Sequence, residues 1–72
     1  MTPEEALRWC YRHQIRLEFE RRGAWDMLTA TVPLRAPDGA YGVMSTQLRH
    51  HETVPDAVGT LCEAARLKYC LE

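Results

Sequence analysis

The chain has 72 residues, 46% of them hydrophobic and 26% charged, with a formal net charge of −1. It is too short for two domains, too apolar and evenly charged for a disordered tail, and not basic enough for non-specific DNA binding to be its main activity. No apolar run reaches the roughly eighteen residues that a membrane-spanning helix needs. The expectation is a single domain over residues 1–72, cytoplasmic, with no membrane partner.

Thr2-Pro3-Glu4-Glu5 is a helix start. Thr2 can cap, Pro3 suits the first helical position and Glu5 completes a capping box. The helix should run to about His13, with Ala6, Leu7, Cys10 and Gln14 on its buried face, Tyr11 beside it, and Trp9 and His13 on the flank.

The period then changes from helix to strand. Ile15, Leu17 and Phe19 alternate with Arg16, Glu18 and Glu20, so one face is buried and one solvated. Arg21-Arg22-Gly23-Ala24 reads as a turn, with Gly23 free to take positive φ. A second strand runs from Trp25 to Leu34, with Leu28, Ala30, Val32 and Leu34 on one face and Trp25, Met27, Thr29 and Thr31 on the other. Pro33 marks its end or an edge, and Ala36-Pro37-Asp38-Gly39 is a turn. The third strand, Tyr41 to Leu48, sets Tyr41, Val43 and Ser45 against Met44, Thr46 and Leu48.

Thr53 caps the last helix, whose apolar face is Val54, Ala57, Val58, Leu61, Ala65 and Tyr69. Gly59 inside it implies close packing against the sheet, and Leu67, Cys70 and Leu71 lie off the main face. Leu71-Glu72 reads as native sequence or as the remnant of a cloning site. The expected fold is α+β, in the order α-β-β-β-α: a three-stranded antiparallel sheet with both helices on one face and the other face uncovered.

Candidate chemistry is sparse. The three cysteines, Cys10, Cys62 and Cys70, are an odd count without a secretory signal pattern, which favours reduced thiols over a disulfide framework. Cys10 and His13 lie one helical turn apart, but a structural zinc site has paired close spacings and this chain lacks the second pair. His50-His51-Glu52 in a connector reads as a solvated helix lead-in. No catalytic residue, metal or cofactor is expected, and little volume is left for a pocket of several hundred Å³.

Two surfaces remain. The uncovered sheet face should present Trp25 and Met27 beside Arg16 and Glu18, residue types that interface cores favour, with Trp9 as a further contact. The alternative is a nucleic-acid surface drawn from the arginine cluster Arg8, Arg12, Arg16, Arg21 and Arg22, with Arg8, Arg12, Arg21 and Arg22 as its contacts, whose field the interleaved glutamates reduce.

The α-β-β-β-α order resembles the double-stranded-RNA-binding domain over nearly the whole chain. That family carries a Lys-rich cluster where this chain has Thr53-Val54-Pro55-Asp56-Ala57. Pro37-Asp38-Gly39 and Glu52 to Ala57 are similar to the strand-strand-helix end of HicB-type antitoxin domains. In size and self-contained design the chain also resembles small phage-encoded inhibitors, anti-CRISPR proteins among them. Those likenesses imply a non-enzymatic module that binds a host protein or protein complex and blocks its surface. A homodimer through Leu67 and Leu71, or through the edge of the third strand, is compatible with this reading.

Overall fold

The computed structural model describes the chain except at residues 23, 24, 35, 36, 38, 40 and 41 and at the side chains of Arg22 and Trp25. Helix α1 (Pro3–His13) is followed by strands β1 (Arg16–Arg22), β2 (Trp25–Thr31) and β3 (Val43–Gln47), a 3-10 turn (Leu48–His50), and helix α2 (Val54–Lys68). The expected α-β-β-β-α order and the antiparallel sheet are present, with strand order β1-β2-β3. The second strand ends at Thr31, before Pro33, and the third begins at Val43. The expected turn residues Gly23, Ala24, Ala36 and Asp38, and Tyr41 at the start of the third strand, lie outside the described residues.

Both helices begin on a threonine cap with a proline in the first two helical positions. The Thr2 hydroxyl accepts the Glu5 backbone N–H at 3.2 Å and donates to the Glu5 carboxylate at 2.9 Å. Thr53 accepts the Asp56 N–H at 3.2 Å. Their ends share one design. Gln14 and Cys70 adopt left-handed backbone conformations, with φ of 57° and 55°. The Ile15 N–H then reaches back to the Cys10 carbonyl at 2.8 Å, and the Leu71 N–H to the Arg66 carbonyl at 3.0 Å. This is the Schellman closure, here made twice without glycine. It turns Ile15 and Leu71 inward onto the core.

The core lies on one face of the sheet. Leu28, Ala30 and Val32 meet Ala57, Val58, Leu61, Cys62 and Ala65 of α2, and α1 adds Ala6, Trp9 and Cys10. Helix α2 rests on β2 and β3, whereas α1 packs chiefly on α2. The buried stripe of α1 is rotated from the expected one. Ala6, Trp9 and Cys10 point inward, while Leu7 and Tyr11 are exposed, Tyr11 at 89%. A stripe of two apolar residues and an indole fits the α2 groove better than one holding Leu7, because Trp carries the larger apolar surface.

Burial also falls along β1. Ile15 is buried, Leu17 half-buried and Phe19 61% exposed although its register partner Leu28 is fully buried, so the helical layer covers β2 but not this end of the β1 edge strand. The shortest molecular dimension is 16 Å, enough for one helix layer on one sheet. A further layer on the opposite face would add about 10 Å.

Two glycines are fixed by close approach. A Cβ on Gly42 would collide with the carbonyl oxygens of Val32 and Leu34, because Gly42 lies directly beside the end of β2, where its own carbonyl accepts the Val32 N–H. On Gly59 a Cβ would lie 2.8 Å from the Met1 carbonyl oxygen. The expected close approach at Gly59 is therefore real, but the neighbour is the backbone of Met1 and not the sheet.

Candidate functional site

The strand registers place three cross-strand rows on the face opposite the helices: Arg16–Thr31–Val43, Glu18–Thr29–Ser45 and Glu20–Met27–Gln47. Alternation of side chains along each strand puts these residues on one surface. Glu20, Met27, Thr29, Val43 and Ser45 line a shallow depression of about 180 Å³. Val43 is exposed and Met27 half-buried, so the apolar centre is accessible. Arg16 and Glu18 form an ion pair at 3.4 Å on its margin. At that exposure the pair contributes little to stability and leaves both groups open to a ligand.

The structure thus brings Arg16, Glu18 and Met27 together. Trp25 opens β2 opposite Arg22 in the register, and its side chain lies outside the described residues. Trp9 does not belong to this face. Expected on a flank and as a partner contact, it is instead only 5% exposed, in the core between the helices. Its indole N–H donates to the Glu72 carbonyl at 3.0 Å. His13 contacts the same carbonyl through Nε2 at 3.0 Å, and its ring lies 5.1 Å from the Trp9 ring.

The described arginines of the cluster are divided between α1 and the two faces of the sheet. Arg8 pairs with Glu4 at 3.0 Å on the exposed side of α1. Arg8 and Arg12 line an open groove of about 510 Å³ together with Glu5, Glu63, Arg66 and Glu72, a lining of both signs. Arg16 and Arg21 have opposite parity on β1 and so lie on opposite faces of the sheet. The side chain of Arg22 lies outside the described residues.

A second open depression, of about 630 Å³, runs along α2 beside Met1, Pro3, Asp56, Glu63 and Leu67. Both are open surface grooves rather than enclosed pockets. Leu67 is exposed beside this groove, whereas Leu71 folds onto the core, so these two residues do not form one patch.

Cys10 and His13 diverge. Cys10 turns toward Cys62 of α2, with the sulfurs 3.2 Å apart, while His13 faces the end of the chain. Burial pushes both thiols above their ordinary range, Cys62 to about 12; the Cys62 thiol's hydrogen bond partly offsets this for Cys10. His51 is tied to β3 by a 2.9 Å contact between Nε2 and the Thr46 hydroxyl. Among the described residues, no three His, Cys, Asp or Glu side chains gather as a metal site.

Sequence reasoning missed the Cys10–Cys62 pair because 52 residues separate its members. The available signal was that each falls on a helix, Cys10 on an apolar face and Cys62 next to Leu61. No protein-family profile matches the chain, and neither the curated proteins nor the solved structures contain a significant match.

Proposed function

We propose that this chain is a small protein-binding module, without catalysis of its own, that acts by covering the surface of a protein or protein complex. In the manner of small phage-encoded inhibitors, it blocks what that surface would otherwise do. The observation that carries this reading is the open sheet face. Met27 and Val43 form an accessible apolar centre, Thr29 and Ser45 supply hydroxyls, and Arg16, Glu18 and Glu20 supply a charged margin. An apolar centre with a polar rim is the general anatomy of a protein interface. The rigid backbone of three paired strands keeps the entropy lost on binding small.

The nucleic-acid alternative has less support. Arg8 and Arg16 are each paired with a glutamate, and Arg16 and Arg21 point to opposite sides. The test is affinity capture from the native host with the wild type and with Met27→Arg/Val43→Arg. The reading requires a protein partner that the variant loses while keeping its unfolding midpoint. Capture of nucleic acid in a salt-sensitive manner, or equal capture by both proteins, refutes it.

A further inference from the structure

We propose that Cys10 and Cys62 are a dithiol pair that closes, on oxidation, into a reversible disulfide joining α1 to α2. The two sulfurs face each other across the helix–helix contact at 3.2 Å, and both side chains belong to the buried core. A disulfide requires about 2.05 Å between sulfurs, a closing movement of roughly one ångström that side-chain rotation and a slight helix shift can supply. Cys70 is exposed and lies at the left-handed turn after α2, so it serves as an internal control.

The two thiols are not equivalent. Hydrogen bonding from Cys62 favours the thiolate of Cys10, and Cys10 is also the less buried of the two, at 5% exposure against 1%. Cys10 is therefore the attacking sulfur and Cys62 the resolving one. With hydrogen peroxide as oxidant, the Cys10 thiolate attacks the O–O bond. It becomes a sulfenic acid, and the departing hydroxide takes up the thiol proton as water. The Cys62 sulfur then attacks the Cys10 sulfur, the S–O bond breaks, and the Cys62 proton leaves with the hydroxyl as a second water. One peroxide is reduced to two waters, and two thiols are oxidised to one disulfide.

The closed bond ties two helices that the chain connects only through the whole sheet. Cross-linking so long a segment restricts the unfolded chain strongly. It also fixes α1 on α2, and so the position of Trp9 against Glu72. Because burial disfavours the thiolate, closure is slow at neutral pH and accelerates as the pH rises.

The experiment treats the full chain with hydrogen peroxide, denatures it, alkylates the remaining thiols with N-ethylmaleimide, and maps the digest by mass spectrometry. The expected product has Cys70 alkylated and the Cys10 and Cys62 peptides linked, lighter by two hydrogens, with three alkylated thiols restored by dithiothreitol. Its unfolding midpoint rises by about 10 °C or more. Cys70→Ser keeps this behaviour, and Cys62→Ala loses the oxidant-dependent rise. If Cys62→Ala fails to fold, the wild-type map still decides. Three free thiols after oxidation, a bond through Cys70, over-oxidation of Cys10 without a link, or a link that lowers the midpoint each overturn the proposal.

Discussion

The Trp9 indole N–H donates to the backbone carbonyl of Glu72 at 3.0 Å, a contact that spans 63 residues and links α1 to the segment after α2. The Schellman turn at Cys70 makes it possible, because that turn sends Leu71 onto the core and brings Glu72 beside α1. Trp9→Phe keeps an aromatic ring in the core but loses the donor, and should cost about 1–2 kcal/mol in chemical denaturation. Trp9→Ala also removes the buried ring and should cost about 3–5 kcal/mol. A Trp9→Phe variant as stable as the wild type would show that the hydrogen bond contributes nothing, and equal losses from the two variants would show that the buried ring adds nothing beyond it.

Left-handed backbone at Gln14 and Cys70 is an unfavourable conformation for side-chain-bearing residues. Glycine at either position removes that cost in the folded state. Gln14→Gly and Cys70→Gly should each raise stability by about 0.5–1 kcal/mol, after the added chain entropy of the unfolded state is subtracted. Urea unfolding of the two variants and their combination checks this. The sites lie at the ends of different helices, so their effects should add.

The two fixed glycines should respond differently to alanine. At Gly42 the methyl group would enter a space bounded by two backbone carbonyls that belong to the β2 end, and neither can move alone. Gly42→Ala should cost about 3 kcal/mol or more. At Gly59 the obstructing atom belongs to Met1, which can shift with the first residues of the chain. Alanine there also gains up to about 1 kcal/mol of helix propensity. Gly59→Ala should therefore fall within about 1 kcal/mol of the wild type. Thermal unfolding of both variants decides the order.

Burial raises the Cys62 thiol from an ordinary value of 9.0 to about 12. The unfolded thiol begins to lose its proton near pH 9, whereas the folded one holds it to about pH 12. In that window the unfolded state binds fewer protons, so stability falls as pH rises. The contribution is fully present below pH 9, and its slope above that is at most about 1.4 kcal/mol per pH unit. Stability measured under reducing conditions from pH 8 to 11 should decline more steeply for the wild type than for Cys62→Ala. Parallel curves would mean that Cys62 ionises freely in the folded protein.

Much of the fold follows from local chemistry. The two Thr caps, the prolines beside them, the alternation from Ile15 to Phe19 and the apolar period of α2 each act within a few residues, so the helices and strands are legible without their neighbours. The same alternation assigns Arg16, Glu18 and Met27 to one sheet face, because strand parity is a property of the backbone.

Packing decided the rest. Periodicity narrows the inward stripe of α1 to adjacent alternatives, and the groove offered by α2 selects Trp9 over Leu7. Phe19 carries the same alternation as Ile15 yet stays exposed, because α2 rests on β2 and β3, where its register partner Leu28 is fully buried, and leaves this end of the β1 edge strand uncovered. Gln14 and Cys70 lack the glycine that usually marks a left-handed helix end, so their turns are set by the core contacts of Ile15 and Leu71. The meeting of Cys10 with Cys62 depends on how the two helices cross. The elements and the two faces of the sheet follow from local residue order, because those are short-range properties of the chain. Which side chains are covered, and which distant ones meet, was decided by the tertiary structure, because burial depends on the length and placement of the layer packed above.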